Sequence, residues 1–162
     1  MSRMDRKLFT RPASDDASGT VVEPEAFANA FPARLIAAGL RPTRQRVALG
    51  ELLFGGGDRH VTAERLFEEA TAARLSVSLA TVYNTLHQFT TVGILREIAV
   101  DGARVYFDTN TSEHHHFLIE DDGELCDIPG STMAGLDPPK PPEGLKVARI
   151  DVVVRLRRES GV

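Results

Sequence analysis

The stretch from 76 to 108, SVSLATVYNTLHQFTTVGILREIAVDGARVYFD, changes hydrophobic period halfway, and no other feature limits the fold as much. Its first half sets Leu79, Val82, Leu86 and Phe89 at three- and four-residue steps, the spacing of one buried helix face. Its second half is two β-rich runs around Asp101-Gly102, the short-range signal of a hairpin turn. Three helical segments precede it. PEAFANAFPARLIAAGL, from Pro24, turns Phe27, Phe31, Leu35, Ile36 and Leu40 inward, with Gly39 as the stop. PTRQRVALGELLF turns in Val47, Leu49, Leu52 and Leu53 until GGGD at 55–58 breaks it. VTAERLFEEATAARL faces the core with Ala63, Leu66, Phe67 and Ala70. Helices closed by a hairpin predict a winged helix-turn-helix over residues 23–108, with the 78–91 helix in the place of the recognition helix.

The outward face of that helix agrees. Ser78, Ala80, Thr81, Tyr83 and Asn84 are uncharged, and most are small, where an ordinary solvent face would carry Glu and Lys. A helix laid against base edges needs short hydrogen-bonding and methyl-bearing side chains. The net charge of −4 argues against a generally basic nucleic-acid binder, but it is unevenly spread. Residues 1–108 balance 13 basic with 13 acidic side chains, whereas residues 109–162 hold 6 and 10. Within the balanced part, RLIAAGLRPTRQR at 34–46 carries Arg34, Arg41, Arg44 and Arg46 with no acid among them. Such a stripe suits phosphate, and it also suits a plain solvated face.

Residues 1–22 read as a flexible N-terminal arm, polar and without an apolar signal core. No apolar run approaches the roughly 18 residues of a membrane span. The single cysteine, Cys126, excludes an internal disulfide and a paired C-x-x-C zinc site, so a cytoplasmic setting without membrane association is expected. The last third, 109–162, changes character. HHHFLIEDDGELCDI reads as two short strands around Asp122-Gly123, and KVARIDVVVRLRR alternates Ala148, Ile150, Val152, Val154 and Leu156 on one face. This piece is too small to be comfortable alone, and an apolar edge strand invites a second copy. It is expected to be a dimerisation domain, which makes the whole chain α+β.

Three of the five histidines stand together at His114, His115 and His116. On a strand, His114 and His116 point one way and His115 the other, so the first and third present imidazoles that one ion can bridge. Imidazoles with carboxylates suit Fe(II), Mn(II) or Zn(II). The spacing alone fits a solvated His run equally well. His60, after the Gly-rich loop, reads as a surface residue, His87 as a partly exposed helical one, and Cys126 as an inert thiol.

Taken in order, GLRPTRQRVALGELL, RHVTAERLFEEA, SLATVYNTLHQFTTVGIL, DGARVYFD and HHHFLIEDDGEL resemble the ferric uptake regulator family from about residue 28 to 128. The resemblance implies a metal-sensing transcription factor with an N-terminal winged helix and a C-terminal α/β dimerisation domain. It implies a metal site of His60, Asp108, His114, His116 and Asp127, with iron or manganese, or else zinc, as the divalent ion. Within the family the chain looks most like the haem-responsive iron response regulator branch, in which the HHH motif, here His114, His115 and His116, also serves in haem binding. The chain departs from commoner members: IEDDGE stands where they keep a zinc-binding cysteine pair, and no His follows His116. The motif VYN also replaces their VYR, which puts the operator sequence in question at Asn84.

These readings combine into one expectation: a cytoplasmic homodimer that senses iron through haem and is not an enzyme. Arg41, Thr43, Arg44 and Arg46 would meet phosphate or the minor groove. Ser78, Ala80, Thr81, Tyr83 and Asn84 would read the major groove of a double-stranded, AT-rich near-palindrome, an operator type the resemblance implies. Two alternatives stand beside it. One is a manganese- or zinc-sensing repressor of the same family that does not use haem. The other is an Fe(II) enzyme built on a two-His, one-carboxylate triad. Against the enzyme, a winged helix leaves too little of 162 residues for a substrate pocket.

Overall fold

The computed structural model describes residues 24–101, 104–130 and 139–159, with side chains from Phe31 onward and Asp101 excepted. The arm expected over 1–22, the turn residue Gly102 and the side chain of Phe27 lie outside the described residues.

Helix α1 (Pro24–Ala37) ends where Gly39 adopts φ 80, a left-handed conformation glycine reaches without strain. There Leu40 N–H donates to Leu35 O at 2.8 Å and Gly39 N–H to Ile36 O at 2.9 Å, closing the last turn. Helix α2 (Arg44–Phe54) begins at Thr43, whose hydroxyl accepts from the Arg46 N–H. It meets α1 at Gly50, where a Cβ would fall 1.8 Å from the Phe31 ring, so only glycine fits. Strand β1 (His60–Val61) leads into α3 (Ala63–Ala72), capped by Thr62. Helix α4 (Leu79–Thr91) is capped by Ser78 and followed by β2 (Arg96–Asp101) and β3 (Arg104–Asp108). The helices enclose Phe31, Leu35, Leu49, Leu53, Leu66, Val82, Leu86 and Phe89, with Phe107 from the sheet.

Two expected core positions are corrected. Leu79 is 36% exposed and Ile36 63%, while Thr85 is buried instead. Leu79 is the first residue of α4, at the end of its buried stripe. Ile36 sits one position beyond Leu35, which already fills the groove toward α2.

Among the described residues the strands form two sheets, ordered β1-β3-β2 and β5-β4-β6. In the second, β4 (His116–Ile119) runs antiparallel to β5 (Glu124–Asp127) and parallel to β6 (Val153–Leu156). The long strand expected over 146–158 shrinks to β6. Residues 145–152 run as irregular chain, with Leu145 67% and Val147 41% exposed. Parallel pairing with β4 reaches only from His116 to Ile119, so the alternation finds no ladder outside that window. Among the described residues beyond 108 there are strands and loops but no helix, and no described helix is long and apolar enough to cross a membrane.

The two sheets are packed together. Ile98 and Tyr106 of the first bury against Leu118 and Leu125 of the second, with Val100 and Val153 at the edge. The Tyr106 hydroxyl donates to Gly123 O at 2.6 Å, and Arg155 Nη2 donates to Val100 O at 2.7 Å.

Candidate metal centre

Antiparallel register sets His60 opposite Asp108 on β1 and β3, and sets His116 opposite Asp127 on β4 and β5. Residues directly opposite project from the same face of a sheet. Each sheet therefore offers one His–Asp pair, and the pairs meet at the seam. His114 joins from the loop before β4. One ligand atom from each of His60, Asp108, His114, His116 and Asp127 lies within 4.8 Å of every other.

The contacts are tight. Asp108 Oδ2 stands 2.9 Å from His114 Nε2, 3.4 Å from His116 Nε2 and 3.5 Å from His60 Nε2. Asp127 Oδ1 stands 3.0, 3.3 and 3.8 Å from the Nε2 atoms of His60, His114 and His116. Ligands bonded at about 2.0–2.2 Å to one ion lie roughly 3 Å apart, so these spacings match the edges of a coordination shell. Asp108 and His116 are fully buried, whereas the Asp127 side chain is 42% exposed and marks the open side.

Hydrogen bonding supports the same fit. His60 Nε2 and His114 Nε2 are buried and close to carboxylate oxygens, yet neither has a hydrogen-bond partner among the described residues. His114 Nδ1 is 2.9 Å from Ser112 O. A carbonyl only accepts, so Nδ1 is the donor in this contact, and in the neutral ring that leaves the Nε2 lone pair for a metal; Arg96 Nη1 also lies 3.4 Å from Nδ1. Burial works to raise the Asp108 carboxyl, but the His116 and His60 imidazoles and the Asn110 N–H outweigh it. The carboxyl is held well below the usual carboxylate range, so it stays ionised. The donor set therefore fits a divalent ion of the Fe, Mn or Zn kind.

His115, in the loop before β4, is not part of the cluster. Val152 N–H donates to its Nδ1 at 3.4 Å, and its ring lines an open cavity of about 430 Å³ with Glu113, Pro129, Val147 and Arg149. Cys126 is not part of the cluster. Burial pushes its thiol up, and nearby Glu124 and Asp127 add to this, leaving it unreactive.

Several of the residues expected at DNA are committed elsewhere. Arg41, Arg44, Ser78, Ala80 and Asn84 are exposed. Thr43 and Ser78 cap helices α2 and α4. Thr81 shares a 2.9 Å hydroxyl contact with Ser78. Arg46 Nε donates to Gln88 Oε1 at 2.9 Å and Nη1 donates to Arg41 O at 2.8 Å, fastening the start of α2 to α4. The Tyr83 hydroxyl donates to Glu64 of α3. The sequence reading missed Glu64 and Arg96. A charge inside the apolar run ILREI was the available signal for Arg96.

Fold and site together define a winged-helix protein with a metal-ligand set at the seam between its two sheets. The ferric uptake regulator family model matches residues 37–153, and the chain belongs to that family. Over 96 residues it is 34% identical to the peroxide-responsive repressor PerR of Staphylococcus aureus, a match covering 59% of this chain and 64% of that one. The chain thus spans somewhat under two thirds of the length of such curated relatives. Among solved structures, the ferric uptake regulator of Pseudomonas aeruginosa with manganese is 25% identical. The TM-score is 0.61, over 78% of this chain and 96% of that one. The Vibrio cholerae regulator shares the fold at 22% identity, with TM-score 0.64 over 79% and 99% of the two chains. These likenesses reach the family and not its haem-responsive branch.

Proposed function

We propose that the protein is a metal-responsive transcription regulator that binds double-stranded DNA as a homodimer in the cytoplasm. The observation that carries this reading is the five-residue cluster, because its ligands come from both sheets. His60 and Asp108 belong to the winged helix, and His114, His116 and Asp127 to the second unit. A divalent ion held there would neutralise the two carboxylates and hold the units at one angle. Without it, the ligand set would no longer tie the two units together, and only the apolar seam would hold their angle. In a two-fold dimer that angle sets the spacing of the two α4 helices, hence whether both half-sites of a near-palindrome are met. The exposed Arg41 and Arg44 meet phosphate, and the face of Ser78, Ala80, Thr81, Tyr83 and Asn84 reads an AT-rich major groove. Arg46, tied to Gln88, orients this surface. Support from relatives is in their names: one is a peroxide-responsive repressor and another is a regulator structure with manganese.

A second reading makes haem the iron signal for genes of iron and haem homeostasis. His115 favours it, since it stands outside the cluster and lines an open cavity that His114 also borders. His114 and His116 are turned into the cluster, so haem engaging all three imidazoles would dismantle the metal site and release the DNA.

One experiment separates these readings. Metal analysis of the purified protein is combined with Mn²⁺ and haem titrations of its complex with an operator duplex. Operator affinity that rises with Mn²⁺, and is lost in His116→Ala, is the expected result. A Soret shift that vanishes in His115→Ala, with loss of operator binding, selects the haem reading. Affinity indifferent to both additions sinks the metal-responsive proposal.

A further inference from the structure

We propose that Arg96 is a positioning residue for the metal-ligand cluster, fixing the loop that carries His114; this rests on the metal reading of that cluster. Its side chain is 3% exposed, so the charge is almost fully withdrawn from water. Buried ion pairs are weak sources of stability, and an apolar residue of similar volume commonly serves as well. The direction of its hydrogen bonds is therefore informative. Nη1 donates to Ser112 O at 2.9 Å and Nη2 to His114 O at 3.1 Å, and the same guanidinium pairs with Asp151. Asp151 is held in turn by Arg149 Nε at 2.7 Å.

His114 is the one imidazole in the cluster that no strand orients. His60 and His116 sit in ladders, whereas His114 precedes β4 by two positions. Its Nδ1 lies 2.9 Å from Ser112 O, the carbonyl that Arg96 also grips, and 3.4 Å from Arg96 Nη1 itself. Arg96 stands opposite Asp108, in the same cross-strand row as His60. Strand β2 thus supplies the fixed point from which the loop is aimed at the cluster. A planar fork can hold two carbonyls and a carboxylate at once, which an ammonium cannot reproduce.

The test uses the full chain and Mn²⁺ alone, with affinity from isothermal titration and the thermal midpoint of the metal-free protein measured beside it. Arg96→Lys is expected to weaken Mn²⁺ binding about 10–100-fold, the usual range for residues that orient ligands, while the metal-free midpoint barely moves. Asp151→Asn weakens binding in the same direction, and the double variant is no weaker than Arg96→Lys alone. Should Arg96→Lys fail to fold, Asp151→Asn carries the test, because that side chain is 36% exposed. A purely structural role would lower the metal-free midpoint and leave the affinity in place, which overturns the proposal. So does an unchanged affinity in Arg96→Lys where His116→Ala abolishes binding. If His116→Ala binds Mn²⁺ like the unaltered protein, the metal reading itself falls, and this inference with it.

Discussion

Tyr83 shows how far one residue's role depends on its neighbours. From sequence it is a base-reading tyrosine; in the fold its hydroxyl donates to Glu64 across the gap between α3 and α4. The contact lowers the Glu64 carboxyl from 4.5 and raises the Tyr83 phenol from 10.0. For Glu64 the folded value lies below the unfolded one, so its contribution is present above pH 4.5 and is lost as pH falls through the folded value. For Tyr83 the folded value lies above, so its contribution is present below pH 10.0 and is lost as pH rises through the folded value. Glu64 is exposed and Tyr83 only partly buried, so the effect on stability is small, and spectroscopy is the better readout. Absorbance titration of a Tyr106→Phe background isolates Tyr83. Adding Glu64→Gln should move the phenol's ionisation down toward its ordinary value, and an unmoved curve would show that the pair does not form in solution. On the DNA-binding reading, the tyrosine then meets bases mainly with its ring, and Glu64 helps set the angle of that ring.

Among the elements, α4 carries two duties in one residue. Ser78 caps the helix by accepting from the Thr81 N–H at 3.1 Å, and it also stands first on the face proposed for base reading. Ser78→Ala should cost about 1 kcal/mol of stability in urea denaturation through loss of the cap. Ser78→Asp, which also caps, should keep stability yet weaken operator binding through its charge. If both variants bound DNA equally well, Ser78 would be a cap and nothing more. The same helix shows where pattern reading stops. Val82, Leu86 and Phe89 lie on the inner face as their period requires, but Leu79 shares that period and is exposed. Periodicity gives the direction of a side chain, while burial also needs a neighbour at that height: Val82, one turn on, is fully buried where Leu79 is not.

For the whole molecule, the seam matters as much as the cluster within it. Ile98, Tyr106, Leu118 and Leu125 form a small core between the sheets, so the two units are held by apolar packing besides any shared ligand. Leu118→Ala should cost about 2–4 kcal/mol and split urea unfolding into two transitions, the helical core being left with its own packing. A loss under about 1 kcal/mol would show that the seam is not packed in solution. Such a core limits how far the units can turn when the ligand set changes, which favours small rotations over separation.

Period and turn chemistry determined the elements from the chain alone: four helices, a hairpin at 96–108, and two strands around Gly123. The pairing of His114 with His116 was legible as an expectation of strand alternation, but His114 lies in the loop before β4, so its place in the cluster was set by that loop's contacts. The meeting of His60 and Asp108 with Asp127 was beyond local reading, and only the resemblance implied it. Those residues come together through register across two sheets, and register depends on which strands pair. The irregular path of 145–152, the capture of Tyr83 by Glu64, and Arg96 gripping the loop before β4 were likewise decided by tertiary structure. Each depends on a partner distant in sequence, brought within reach only once both sheets have closed on their shared apolar seam.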